Sequence, residues 1–146
     1  MSIAVKIVNS SSNSLPEYAT DGSSGLDLRA NLETEIMLKP LERSLIPTGL
    51  FIELPQGYEA QIRPRSGLAV KQGLTCLNTP GTVDSDYRGE IKILLVNLSA
   101  ESQIIHHGDR IAQMVIQKVE KITWQPAESL TDTSRSAGGF GSTGKH

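Results

Sequence analysis

Two carboxylates, a tyrosine and an arginine crowd into one short polar stretch, Asn78-Thr-Pro-Gly-Thr-Val-Asp-Ser-Asp-Tyr-Arg-Gly-Glu90. A carboxylate such as Asp84, ionised at neutral pH, can align a water and take a proton from it. The same Asp84-Ser-Asp86 pattern also suits an Asx turn, in which side-chain oxygens accept hydrogen bonds from loop N–H groups. A second stretch, Arg135-Ser-Ala-Gly-Gly-Phe-Gly-Ser-Thr-Gly144, combines glycines with hydroxyls and an arginine. Its backbone N–H groups can form an anion nest suited to a triphosphate, although many Gly-rich tails are simply disordered. A third, Arg63-Pro-Arg-Ser-Gly67, puts two guanidinium groups and a hydroxyl beside a possible helix start. That is a phosphate cradle, or else a pair of surface charges and a helix cap.

These residues need a rigid support, and the rest of the chain reads as strands. Asn78 to Gly81 has the punctuation of a tight turn, and Ile91 to Val96 is an apolar branched run that reads as a buried strand, so an active-site hairpin is expected between them. Ile3, Val5 and Ile7 alternate with Ala4 and Lys6, predicting an opening strand with one buried face. In Gly25 to Ala30, Leu26 and Leu28 share one face and Asp27 and Arg29 the other. Glu35 to Leu38, Ser44 to Ile46, Leu50 to Leu54, Tyr58 to Arg63, Arg110 to Lys118 and Ile122 to Trp124 are further short runs, divided by Pro and Gly. Only Ser66 to Gln72 reads as a helical turn, with Ser66 as cap and Gly73 as stop. His106-His107-Gly108-Asp109 reads as a turn, since adjacent strand residues face opposite sides and no further ligands stand at zinc-like spacing. The expectation is an all-β sandwich or barrel over residues 1–125, then a linker and flexible Gly-rich arm over residues 126–146.

Composition narrows the function classes. The chain has 146 residues, 38% of them hydrophobic and 21% charged, enough for one domain with a core. A net charge of -2 without a basic run argues against nucleic acid or an anionic membrane surface as partner. The amino end, Met1 to Val8, lacks the pattern of a signal peptide, and no segment approaches the ~20 apolar residues of a membrane helix, so the cytoplasm is expected. The single cysteine, Cys76, lies in apolar Leu74-Thr-Cys-Leu77 and reads as a buried, inert thiol.

Taken with Gly25-Leu-Asp-Leu-Arg-Ala30, Arg65-Ser-Gly-Leu-Ala69 and Gly108-Asp-Arg-Ile-Ala-Gln-Met114, the polar stretch and the Gly-rich arm resemble, in order and spacing, the five motifs of the homotrimeric dUTPases. The resemblance covers residues 3 to 144 and implies a distorted jelly-roll fold. It implies hydrolysis of dUTP to dUMP and pyrophosphate by in-line water attack at the α-phosphorus, which keeps uracil out of DNA and supplies dUMP for thymidylate synthesis. On that footing Asp84 is the general base. Arg65, Ser66 and Gly67 serve the phosphate chain, with Gln113 near the phosphates and the attacking water. The family's pyrimidine reader maps onto Asn78 and Gly81, with Tyr87 packed where a 2′-hydroxyl would clash. Arg135, Ser142 and Thr143 clamp the terminal phosphate, and Phe140, followed by Gly141, lies over the uracil ring. Mg2+ is expected to ride on the triphosphate, its water shell touched by Asp27 and Gln113. The resemblance further implies a homotrimer whose sites each draw the hairpin from one subunit and the arm from another. Many members have glycine where this chain has Ser136. A dCTP deaminase of related fold is the runner-up, yet its pattern continues with a second serine where Gly67 stands and lacks the Tyr87 hairpin. A non-catalytic jelly-roll nucleotide-binding protein is the alternative from another class.

Overall fold

The structure, a computed structural model, describes residues 2–146; Met1, which begins the amino-terminal stretch, lies outside the described residues. Among the described residues eleven strands and one helix are formed: β1 (Lys6–Asn9), β2 (Leu26–Arg29), β3 (Ile36–Leu38), β4 (Arg43–Pro47), β5 (Leu50–Glu53), β6 (Tyr58–Arg63), α1 (Ser66–Gln72), β7 (Leu74–Cys76), β8 (Gly81–Val83), β9 (Lys92–Asn97), β10 (Gln103–Ile105) and β11 (Arg110–Lys118). All pairings are antiparallel, and the four sheets run β1-β5, β10-β3, β2-β11-β6-β8 and β4-β9-β7. The all-β expectation holds, and no sheet closes into a barrel among the described residues.

Alternation explains which residues reach the core. Leu28, Ile62, Ile93, Leu95 and Met114 turn inward from β2, β6, β9 and β11, joined by Ile46, Leu74 and Ile111. The most buried polar side chain is Asn97, whose amide donates to Leu38 O at 2.9 Å and Glu101 O at 2.7 Å while its oxygen accepts from Ser99 N–H at 2.9 Å. Every strong hydrogen-bonding group of that side chain is therefore engaged, as burial demands.

Four local expectations differ from the structure. The first strand is Lys6–Asn9 rather than Ile3 to Val8; it pairs only with β5, and Ile7 and Val8, on its two opposite faces, both stay exposed. Residues 122–124 form no strand: β11 ends with Lys118 opposite Tyr58, the first residue of β6, and no further strand is there to pair with. Trp124 is correspondingly exposed and anchors nothing within the chain. Ser66 is the first helical residue, not the cap; Arg65 holds the cap position without a side-chain bond, while Gly73 stops the helix in the left-handed region at φ 65°. Finally, the polar stretch is no paired hairpin. β8 bonds to β6 and β9 to β4 and β7, so residues 84–91 cross from one sheet to another. Ile91 N–H donates to Leu50 O at 2.8 Å instead of to β8, which is what separates the two strands.

Cys76 is buried as expected, and burial pushes its thiol up to about 11. A thiol whose pKa is higher folded than unfolded binds more protons in the folded state, so stability is complete below the unfolded value and is lost as pH rises through the window between the two. Urea denaturation should show up to about 3 kcal/mol lost between pH 9.0 and 11 on this account. Cys76→Ala should flatten that part of the alkaline fall while starting from lower stability.

Candidate active site

The side chains singled out above fall into three groups. The first is built on the central strand pairs. In the β2-β11 register Asp27 stands opposite Gln113, and in the β11-β6 register Gln113 stands opposite Arg63. Leu28 is fully buried, so its neighbour Asp27 projects from the other face, half-buried. Two guanidinium groups hold its carboxylate: Arg65 Nε to Oδ1 at 3.0 Å and Arg110 Nη1 to Oδ2 at 3.5 Å. Arg65 also donates from Nη1 to Arg110 O at 3.3 Å, and Gln113 Nε2 donates to Pro64 O at 3.1 Å. The strand pairing thus ties Arg65, Asp27, Arg110 and Gln113 into one polar surface. Ser66 and Gly67 begin α1 beside it, both exposed, and the Ser66 hydroxyl has no capping duty to hold it.

The second group belongs to the crossover. Asn78, Gly81 and Tyr87 line one cavity together with Ile62, Ile91 and Leu94. A Cβ on Gly81 would come within 3.2 Å of Ile62 and 3.4 Å of the Asn78 amide nitrogen, so a side chain there would crowd the cavity wall. Asp84 follows β8 directly, anchored by buried Val83, and its backbone carbonyl accepts the turn hydrogen bond from Tyr87 N–H at 3.1 Å. Among the described residues no donor reaches the Asp84 carboxylate, so the Asx-turn alternative is not used and the oxygens face solvent. Asp84 lines a separate cleft with Tyr58, Glu59, Arg88 and Lys121.

The third group is the Gly-rich segment. Its hydrogen bonds are internal turns: Ser136 N–H to Thr133 O at 3.1 Å, Gly138 N–H to Arg135 O at 3.0 Å, Ser142 N–H to Gly139 O at 3.1 Å and Gly144 N–H to Gly141 O at 2.8 Å. Arg135 Nε donates to Gly138 O at 2.8 Å. Ser136 and Phe140 adopt positive φ, 46° and 51°, a conformation glycine holds with less strain. Arg135, Phe140, Gly141, Ser142 and Thr143 are all exposed. One chain therefore brings the Asp27 group together and the Asn78 group together, but brings the glycine-rich segment to neither.

Three contributors escaped sequence reasoning. Arg110 shares Asp27 with Arg65, and its only signal was its place in the Gly108 to Met114 motif. Gly25 gives room to Gln113, whose amide oxygen would lie 2.5 Å from a Cβ there. Glu90 accepts from Gly49 N–H at 2.9 Å and so fixes the end of the crossover. Each stood at one end of a stretch already singled out, but its residue type alone gave no sign of the contact it makes.

A model of the dUTPase family matches residues 11–144. A deoxyuridine 5'-triphosphate nucleotidohydrolase from Finegoldia magna is 61% identical over 140 residues, covering 96% of this chain and 98% of the relative. One from Neorickettsia sennetsu is 63% identical over 130 residues, covering 89% and 87%. Among solved structures, the dUTPase of Staphylococcus bacteriophage 80alpha with dUPNHPP superposes with a TM-score of 0.87 at 23% identity over 98% of this chain and 99% of that one, which places the fold with the jelly-roll proteins. A mutant dUTPase from phage phi11 of S. aureus, described with a structural Mg(II) ion, superposes at 0.79 with 20% identity over 89% and 100%.

The Arg65 and Asp27 side chains remain 26% and 29% open to solvent, so their ion pair adds little to folding. Arg65→Ala should lower unfolding free energy by less than about 1 kcal/mol in urea denaturation. A loss of several kcal/mol would make the pair a structural clasp rather than a surface held ready for an anion.

Proposed function

We propose a mechanism from one premise: the chain belongs to the dUTPase family and hydrolyses dUTP to dUMP and pyrophosphate. Asp84 is the general base, aligning a water in line with the α-phosphorus and taking its proton. What supports this is the carboxylate itself: it sits at the end of a strand with buried Val83, is exposed, and takes no hydrogen bond or ion pair from the described residues, so its oxygens are free to receive a water. Attack by that water forms the new P–O bond as the bond to the bridging oxygen breaks, and pyrophosphate leaves with the electron pair.

Arg65 and Ser66 hold the phosphate chain near the leaving oxygen, the guanidinium already oriented by Asp27. Asn78 and Gly81 face the uracil edge, where amide and backbone groups left unpaired by cytosine would reject it. Tyr87 packs against the deoxyribose. Arg135, Ser142 and Thr143 clamp the terminal phosphate, and Phe140 and Gly141 cover the base and exclude water.

The donor set suits Mg2+ carried by substrate rather than by the protein. No group of three or more His, Cys, Asp or Glu side chains stands close enough to cage an ion among the described residues. Asp27 and Gln113 instead offer one carboxylate and one amide oxygen side by side, enough to order the waters of a hydrated ion. When bound there, Mg2+ would draw charge from the phosphate oxygens. Asp27, clasped by two arginines, keeps its position without needing that ion.

The same reading makes the chain a homotrimer, residues 1–125 forming the domain and residues 126–146 the arm that closes over a neighbour's site. It is supported by the arm's purely internal hydrogen bonds and by the exposed Ile122, Trp124 and Leu130 leading to it, apolar groups with no cover in their own chain. A cytoplasmic setting agrees with the free, buried Cys76.

Asp84→Asn should retain nucleotide binding and lose turnover. Chains carrying it can be co-refolded with chains truncated after Ser134, each inactive alone. A site with its loop from a truncated chain and its arm from an Asp84→Asn chain is whole, and random equal mixing gives each choice even odds, so about one quarter of full activity should return. Mixed trimers, seen by native mass spectrometry, that restore nothing would overturn the shared site.

A further inference from the structure

Tyr87 lies folded back along its own loop, and two neighbours define where its ring rests. The phenol hydroxyl donates to Glu90 O at 2.9 Å. Glu90 is itself immobilised, since Gly49 N–H donates to its carboxylate at 2.9 Å and the next residue, Ile91, donates to Leu50 O at 2.8 Å. The hydroxyl therefore ends on a carbonyl of the crossover that is itself tethered to the β4-β5 turn. The ring between backbone and hydroxyl passes over Gly89. A Cβ on that glycine would lie 2.5 Å from Tyr87 Cζ and 2.8 Å from Cε1, and closer still to the hydroxyl oxygen. Such contacts are far inside van der Waals separation.

Gly89 is not in the left-handed region, whereas Gly49, Gly73 and Gly108 are. Its backbone conformation would accept alanine, so what the site uses is the missing Cβ. Tyr87 is 45% exposed, held by one hydrogen bond and the glycine beneath it. An added methyl would lift the ring and leave the backbone in place.

We infer that Gly89 is a positioning residue for sugar discrimination: by giving the Tyr87 ring a flat seat against the Glu90 carbonyl, it sets the height of the wall that excludes a ribonucleotide's 2′-hydroxyl. This rests on the reading that Tyr87 packs against the deoxyribose. It adds that the ring's selectivity is set by the residue beneath it. Asn78 and Gly81, which line the same cavity, should keep their part in reading the base.

The test is a double-mutant cycle on specificity. Specificity constants for dUTP and for UTP are measured by pyrophosphate release for the full chain, Gly89→Ala, Tyr87→Ala and the double variant, with thermal melting beside each. Gly89→Ala should lower the dUTP/UTP ratio roughly tenfold with its melting temperature nearly unchanged, and should lower it no further in the Tyr87→Ala background. An unchanged ratio in Gly89→Ala, with a reduced one in Tyr87→Ala, overturns the seat while leaving the sugar contact standing. Additive losses overturn it too, because Gly89 would then act without the ring. An unchanged ratio in Tyr87→Ala removes the sugar contact itself and the seat with it. If Gly89→Ala fails to fold, a folded double variant still locates the clash at the ring; a double variant that also fails assigns Gly89 to the backbone and ends the proposal.

Discussion

The hydroxyl of Thr48, 1% exposed, is the point on which the site's geometry hangs. It donates to Ile91 O at 2.6 Å and accepts from Leu50 N–H at 3.2 Å, tying the β4-β5 turn to the end of the crossover. The next residue, Gly49, donates its N–H to Glu90 and accepts from both the backbone and hydroxyl of Ser10. A side chain at Gly49, with φ 71°, would run into Ser11 and Asn31. The amino-terminal segment, two sheets and the loop carrying Asp84 and Tyr87 thus converge on two adjacent residues. Removing the Thr48 hydroxyl would orphan a buried carbonyl, a cost of about 1–3 kcal/mol, and would free the loop at the same stroke.

The opposite half of the site is fixed by charge. Asp27 is half-buried with an arginine on each oxygen, and contacts from two sides hold the carboxylate's orientation. A triphosphate arriving here meets two guanidinium groups already partly neutralised by Asp27. On the proposed reading that tempers affinity for any stray anion and leaves the rest of the binding to the arm and to Mg2+. The overall charge of -2 adds no long-range attraction for polyanions.

Alternation made most of the sheet legible. β6 and β11 match the sequence expectation in both bounds, and Asp27 opposite Leu28 follows from period two alone. Burial within one chain is where the pattern misleads. Ile7 and Trp124 carry apolar signals as strong as those of core residues, yet both are exposed in the single chain, and an apolar residue type does not say which surface it packs against. The crossover misled for a different reason: a turn followed by a branched run looks the same whether β8 and β9 pair or diverge, and the deciding bonds, from Ile91 to Leu50 and from Gly49 to Glu90, join residues some forty positions apart. Contacts at that separation leave no local trace. Nor do the seats under Tyr87 and Gln113, where the informative atom at Gly89 and Gly25 is the Cβ that is missing.

Rigid and local parts divide the work by what each must recognise. Rejecting a 2′-hydroxyl or a cytosine needs walls fixed to fractions of an ångström, and on the proposed reading these stand on buried strands and on the Thr48 and Glu90 contacts. Holding a terminal phosphate needs donors and charge, which tolerate looser placement because Coulomb attraction falls off slowly with distance. On the proposed reading the segment from Arg135 to Gly144 meets that lesser demand: short turns that bond only to themselves keep its shape, and they engage only part of its backbone N–H groups. Ser136 at φ 46° shows the limit of the arrangement, a hydroxyl residue held where glycine would rest more easily. A strained turn is tolerable in a segment whose hydrogen bonds are all to itself. It would not be at Gly49, where the same left-handed backbone is pressed against Ser11 and any side chain must displace the chain itself.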